Sequence, residues 1–328
     1  MKKYIKIATL ALSAFLLTTM SLKAQDAHLS QYDALPVLLN PALTGNLVTP
    51  NNIRAGAQFR SQWGALSSNI TSAAFAVDAP LNERWGVGGY IVNNQQSEYF
   101  NSFSLILSGA YRVTATDQNK HFLSVGLQAG IIFKDLKDDK LVFDSQYVNG
   151  NFDPDLPTGE VFARSSKVLP ELNMGLYYGF TDPTKKVHPY LGFSIFHITS
   201  PNESFFYNSE SHLPRKWVLN SGCNIDISKE FDIEPKLLYM RQLNNYELMA
   251  GMNFNYSFKE PKIKIMAGGF YRSKDAVIVQ SGIIYKNLNF IMSYDINTSS
   301  LNTYSYKRGG LEFSIVANGI GEKIYRSR

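Results

Sequence analysis

The chain has 328 residues, 45% hydrophobic and 18% charged, with 32 Lys+Arg against 27 Asp+Glu and a single cysteine. One cysteine excludes a disulfide framework or a thiolate metal site within the chain, and Cys223 lies too far along to be a lipidated N-terminal residue. Lys2, Lys3, Lys6 and Lys23 fall in the first 24 residues, so 28 bases face 27 acids beyond them; no basic stripe remains to neutralise phosphates, which argues against nucleic acid as a partner.

Those first residues read as an export signal. Met1 to Lys6 carries three lysines and no acid, Ile7 to Met20 is apolar or small, and Leu22-Lys23-Ala24 ends on the small residue a signal peptidase prefers. Cleavage after Ala24 makes residues 1–24 a signal peptide and Gln25 the first mature residue. No later run reaches the roughly 18 uninterrupted apolar residues of a spanning helix. Residues 25–51 form a non-strand segment that contains "DAHLSQYDALPVLLNPALTG". In it Asn40 is placed to cap a turn that begins with Pro41, and Gly45 to end it.

From Asn52 to the end the chain is a procession of long segments in which apolar and polar residues alternate with period two, separated by turn chemistry. In "YFNSFSLILSGAYRV" one face carries Phe103, Leu105, Leu107 and Tyr111, and the other Ser102, Ser104, Ser108 and Arg112. "NYELMAGMNFNYSF" and "NLNFIMSYDIN" repeat the pattern. A soluble sandwich also alternates, but these strands approach the roughly 9–11 residues needed to cross hydrocarbon at a tilt. Aromatic residues gather toward the ends of the apolar faces, among them Trp85, Trp217, Tyr246, Tyr256, Phe258, Tyr271, Tyr285 and Tyr294, as in interfacial girdles. An exported protein with no spanning helix can cross a membrane only as a closed barrel.

The prediction is therefore an all-β protein, an antiparallel transmembrane outer-membrane β-barrel over 52–328. About fourteen strands start near Asn52, Asn69, Arg84, Tyr99, His121, Val168, Val187, Arg215, Phe231, Tyr246, Lys262, Ala276, Leu288 and Lys307. With both chain ends periplasmic, the longest connections (near 134–167, 200–214 and 298–306) face outside and the short ones such as "TDPTKK" face inside. The last alternating run, "GGLEFSIVAN", is followed by a charged tail rather than a terminal aromatic, which leaves the closure of the final strand open.

For the N-terminal segment three roles stand: a tether into the first strand, a plug folded into the lumen, or a periplasmic docking element. Gly86, Gly88, Gly126 and Gly130 on inward faces leave room for something inside. The inward charges Arg54, Arg60, Arg112, Glu171, Glu247, Arg272, Asp295 and Glu312 mix both signs, as in a salt-bridged lumen; a single-sign ring would indicate ion selection.

Catalytic chemistry finds little footing. His28, His121, His188, His197 and His212 lie on separate segments without metal-ligand spacing, and His197, read as near the end of an outward-leaning strand, has only a remote lipase-like pairing with a serine as its use. The sharpest local pattern is "NGNFDPDLPTGE", where Asn149, Asn151, Asp153, Asp155 and Glu160 take positions 1, 3, 5, 7 and 12 of a calcium loop. Pro154 stands where that loop needs glycine and no helices flank it, so the bland alternative is an acidic external loop. No cofactor is expected.

Several landmarks in order carry a family resemblance: "QDAHLSQY" with "LLNPALTG", "FRSQW", "LPELNMGLYYGF", "LGFSIFHIT", "LPRKWVLNSGCNI" and "SYDINTSSL". Together they resemble the PorP/SprF family of type IX secretion system outer-membrane proteins of Bacteroidota. Leu29, where the family often has an aromatic, and Lys236, where a small residue is usual, depart from it. The resemblance implies a non-enzymatic barrel in the outer membrane, in contact with its lipid, that assists export, surface retention or anchoring of substrates bearing a C-terminal sorting domain. Its implied partners are the periplasmic ring and other outer-membrane components of that system, and gliding motility is an associated process. His28, Gln31, Tyr32, Asn40, Pro41 and Gly45 are the family-motif residues placed to serve a plug or docking element. The alternative is a FadL-type barrel for uptake of hydrophobic or other small solutes, a class that also has an Asn-Pro-Ala element near its N-terminus.

Overall fold

The computed structural model describes residues 29–46, 53–62, 70–114, 120–137, 141–148, 151–153, 155–159, 162–259, 263–299 and 308–320. The expected export signal, residues 1–24, and His28 lie outside them. Fourteen antiparallel strands close into one barrel: β1 (Ile53–Gln62), β2 (Ile70–Pro80), β3 (Trp85–Gln95), β4 (Phe100–Arg112), β5 (His121–Leu136), β6 (Ser166–Phe180), β7 (Val187–Phe196), β8 (Lys216–Asp226), β9 (Phe231–Gln242), β10 (Asn245–Ser257), β11 (Ile263–Arg272), β12 (Ala276–Tyr285), β13 (Leu288–Asn297) and β14 (Arg308–Ile320). Every start read from the sequence falls within two residues of the observed one. The final strand closes the barrel: β14 pairs with β13 and, from Ile53↔Ile320 to Gln62↔Gly310, with β1. Closure pairs nearly every strand on both sides and so leaves few backbone groups to face hydrocarbon.

Burial is inverted relative to a soluble protein. Outward-facing Leu107, Leu127 and Ile283 are 69%, 59% and 52% exposed, while inward-facing Arg60, Arg272 and Glu312 are 1%, 1% and 0% exposed. All eight residues read as girdle aromatics are exposed on the outer face. Period-two alternation thus sorts apolar residues to the lipid side and polar residues to the lumen. No described helix is long and apolar enough to cross a membrane.

The two ends of the barrel differ. At one end lie the long connections after β5, β7 and β13; at the other the turns are short. Within the β5–β6 connection a two-residue ladder joins Tyr147–Val148 to Asn151–Phe152. That connection leans on the β7–β8 connection, where Phe162 stacks on Phe206 at 5.0 Å. The weakest seam is β6 with β7, paired only from Met174↔Ile195 to Gly179↔Tyr190 although β6 continues up to Ser166 along β5. There β7 stops at Phe196, because His197 takes a φ of 59° and turns the chain.

Since nearly all backbone pairing in the wall is internal and closed, the purified protein in detergent should migrate faster unboiled than boiled on a denaturing gel. Recovery from the soluble fraction as a monomer that unfolds at room temperature in the same gel would contradict a membrane barrel.

Candidate functional site

The lumen is where the polar chemistry converges, and residues 29–46 cross it. A single helical turn, α1 (Pro36–Leu39), opens with proline at its first position, where the missing N–H costs nothing. Asn40 then breaks to extended backbone and caps the next turn, Pro41–Leu43, by accepting the Ala42 N–H at 2.9 Å. Thr44 Oγ1 donates back to the Pro41 carbonyl at 2.8 Å, and Gly45 leaves the turn at a φ of 65°.

Two apolar faces press this segment onto opposite walls. Leu35 and Val37 pack with Ala74, Ala76 and Val316, whereas Leu39 and Leu43 join Phe196, Val218, Leu238, Met249 and Ile278. The path also runs along the barrel axis: Ser30 meets residues near the long-connection ends of β11 and β13, and Gly45 meets the short-connection ends of β2 and β3.

Close approach to the wall depends on glycines. A Cβ on Gly126 would fall 2.2 Å from the Pro41 carbonyl carbon, one on Gly86 2.2 Å from the Thr44 oxygen, and one on Gly175 2.0 Å from Asn40 Oδ1. Of the four glycines read from the sequence as making room, Gly86 and Gly126 do so. Gly88 instead abuts Asp78 and Gly130 abuts Leu105 and Ile106, so those two relieve contacts within the wall. Into the space at Gly175, Asn40 Nδ2 donates to the Leu176 carbonyl at 3.0 Å and the Phe193 carbonyl at 3.3 Å. Gln128 Nε2 donates to the Val37 carbonyl at 2.7 Å and Ser194 Oγ to that of Leu39 at 3.0 Å, satisfying backbone acceptors that a short turn leaves open.

The charged residues gather where the first and last strands meet. Arg60 bridges Asp295 at 2.8 Å and Glu312 at 2.9 Å, and Arg272 reaches Asp295 at 2.6 Å. The segment completes the cluster. Ser30 Oγ donates to Asp295 at 2.7 Å and accepts from Arg60 at 2.7 Å and Arg272 at 3.0 Å. The Ser30 and Gln31 N–H groups both donate to the Glu312 carboxylate, at 2.8 and 2.9 Å. Gln31 also binds Ser293 and Ser314, and accepts from Gln58 through its own carbonyl. Near the opposite end Arg54 pairs with Asp78 at 2.6 Å, which in turn accepts the Gly45 N–H at 2.6 Å.

Two anchors escaped the sequence reading. Asp78 ends its strand amid small residues and gave no signal. Lys236, noted only as a departure from a family habit, holds Asp33 at 2.6 Å and Glu234 at 2.8 Å, a third charged tie between segment and wall. Tyr32, another family-motif residue, packs beside Tyr177 against the apolar cluster. Above the segment, toward the long connections, remains a cavity of about 220 Å³ floored by Leu29, Tyr32 and Leu38 and walled by Phe100, Phe196 and Val218.

The remaining candidates do not come together. His197 is not outward-leaning: with its positive φ it turns inward, is buried, and sets Nδ1 2.9 Å from the Glu171 carboxylate. His121 contacts Tyr178 outside the lumen and His188 approaches Asp226 at 3.6 Å. In the calcium-loop stretch Asn149 and Glu160 lie outside the described residues. Asn151 sits in the short ladder, and Asp153 accepts the Asp155 N–H at 3.0 Å in a local turn. Among the described residues no three metal-ligating side chains cluster.

Two substitutions should loosen the segment without opening the wall. Gly126→Ala drives a methyl into the Pro41–Ala42 backbone, and an overpacking cost of roughly 1–3 kcal/mol is expected. Arg60→Met strands Asp295 and Glu312 beside fewer cations, at a cost of roughly 3–5 kcal/mol for a broken buried pair. Both variants should keep the fast-migrating folded band but become open to limited proteolysis within residues 29–46; unchanged protection in both would show that the segment is held elsewhere.

No curated protein sequence matches the chain. Among solved structures it is similar to the CymD monoaromatic hydrocarbon channel, at 11% identity and a TM-score of 0.54 over 89% of this chain and 94% of that one. A FadL homologue of Pseudomonas aeruginosa (10% identity, 85% and 92% covered) and the toluene transporter TodX of Pseudomonas putida (10%, 89% and 94%) each give a TM-score of 0.47. At these identities the likeness to CymD concerns the fold alone, that of an outer-membrane β-barrel. Sequence goes further: the family described as type IX secretion system membrane protein PorP/SprF matches residues 21–316. With that match over most of its length, the chain belongs to the PorP/SprF family of type IX secretion system membrane proteins.

Proposed function

We propose that this barrel is a non-enzymatic outer-membrane component of type IX secretion that assists export, surface retention or anchoring of substrates with C-terminal sorting domains. It would do so beside the periplasmic ring and other outer-membrane proteins of the system. Within it, residues 29–46 serve as a lumen plug, residues 1–24 as the cleaved export signal, and the long connections face the cell exterior. The observation that carries this reading is the manner in which the segment is held: at least three charged ties and two apolar faces join it to the wall. A lumen filled this way does not suit free solute flow, which leaves the two rims as the surfaces for partners.

A second reading, uptake of a hydrophobic solute, draws on the cavity above the segment and its aromatic and aliphatic lining. The two readings make opposite demands on partners. Affinity capture of the full-length protein from detergent-solubilised outer membrane should bring down ring components or sorting-domain proteins on the first reading. Bound fatty acid or another apolar molecule, with no such proteins, would favour the second.

Removing residues 29–46 tests the plug. All wall pairing begins at Ile53, so the shortened protein should still assemble, and planar-bilayer conductance should rise from near zero to that of an open pore. If it assembles, stays closed and still supports substrate display, the segment is only a leader into β1. Orientation is checked separately: a tag inserted near Gly150 should be accessible on intact cells and one near Pro183 should not, and the reverse pattern would invert the assignment.

A further inference from the structure

The outer face of the barrel carries a cationic arc at the end with the long connections. Arg215 and Arg241 flank Trp217 in a groove completed by Ser200, Pro214 and Leu243. Trp217 and Arg241 are direct cross-strand partners, and Arg241 is in turn paired with Tyr246 on β10. Lys274 extends the arc, its ammonium 5.5 Å from the Tyr246 ring centre. All these side chains except Ser200 and Pro214 are exposed, and the strand residues among them project from the lipid side of the wall.

The guanidiniums are positioned but not neutralised. Arg215 Nε donates to the Ile198 carbonyl and Arg241 Nε to that of Leu243, each at 3.3 Å, which fixes the plane of each group and leaves the terminal nitrogens turned away from that bond. No carboxylate pairs with Arg215, Arg241 or Lys274 among the described residues, in contrast to the lumen, where Arg54, Arg60 and Arg272 are all bridged. Leu243 turns the chain at a φ of 54° in the two-residue hairpin between β9 and β10, which sets Arg241 and Tyr246 side by side across the pair. Trp217 beside them supplies an apolar wall at the level where indoles meet headgroups.

From this geometry we infer that Arg215, Arg241 and Trp217 form a binding site for the phosphomonoester headgroup of an anionic membrane lipid in the leaflet at the long-connection end. Two planar forks can take separate phosphate oxygens, a geometry that suits guanidinium better than ammonium. Trp217 and the outward aliphatic residues below it hold the first acyl carbons. Lys274 lies farther round the rim and adds field rather than a direct bond. The site needs only the barrel's outer surface, so it stands whether or not the secretion role does.

The test uses the full mature barrel in neutral detergent with Trp63→Phe and Trp85→Phe, which leaves Trp217 as the reporter among the chain's three tryptophans. Its fluorescence is followed as micelles are doped with phosphatidic acid, with phosphatidylcholine, or with sodium phosphate alone. Phosphatidic acid should saturate the response at about a tenfold lower mole fraction than phosphatidylcholine, the scale of one charge-assisted contact. Arg215→Gln with Arg241→Gln should abolish that preference while the fast-migrating folded band persists; Arg215→Lys with Arg241→Lys should keep part of it. Should the double glutamine variant fail to assemble, Arg241→Gln alone carries the same comparison. Equal response to both lipids, a preference that survives the glutamine substitutions, or saturation by inorganic phosphate with no further effect of phosphatidic acid would each overturn the proposal.

Discussion

Arg60 sits on the first strand of the barrel, between Asp295 and Glu312 on the last two, and that placement governs much of the rest. A charge taken out of water is tolerated only when opposite charge and hydrogen bonds surround it. Here the required partners come from β1, β11, β13, β14 and the N-terminal segment at once. None of these elements can shift in register without stranding a charge. Because period two sends every side chain to the other face after a slip of one residue, the cluster fixes the alignment of the closing seam more tightly than outward leucines could. Burying such charges need not add net stability; breaking up the set is what costs.

The same constraint explains why a segment of eighteen residues can lie inside a polar lumen without wandering. Each of its short turns leaves backbone groups unpaired, and the inward faces supply the missing partners: Gln128 for Val37, Ser194 for Leu39, Arg54 for Leu43. Glycines at 86, 126 and 175 bring the wall near enough for Asn40 and Thr44 to bond directly. Apolar contact then acts at both sides, with Leu35 and Val37 on the β2 and β14 wall and Leu39 and Leu43 on the wall facing it. The lumen is therefore closer to a protein core with a polar lining than to a water channel.

The wall was legible in the sequence because its code is local. Alternation assigns each residue a face, turn residues mark the ends, and closure follows from the need to satisfy the backbone, so starts were found within two residues. The inward charges Arg60, Arg272, Asp295 and Glu312 were legible for the same reason. Which of them meet was not, since register across the closing seam joins residues more than two hundred positions apart. Lys236 and Asp78 were missed as anchors because what they hold on the segment, Asp33 and the Gly45 N–H, lies across the lumen, and nothing in a strand's own pattern marks what it will face. His197 was misplaced for a different reason: alternation ends at Phe196, and one residue at positive φ reverses the face that period two would assign.

Inside and outside also divide the chain's cations in a way that bears on function. Arg54, Arg60, Arg272 and Lys236 are each matched to a carboxylate and withdrawn from solvent. Arg215, Arg241 and Lys274 stand on the outer rim beside Trp217 and Tyr246, with no described carboxylate against them. A charge already paired in a low-dielectric site has little left to offer a partner, whereas one held by a backbone carbonyl at a membrane interface keeps most of its field. The matched charges of the lumen accordingly belong to the structure that holds the rims in place, while the cations of the outer rim keep their field toward the membrane interface.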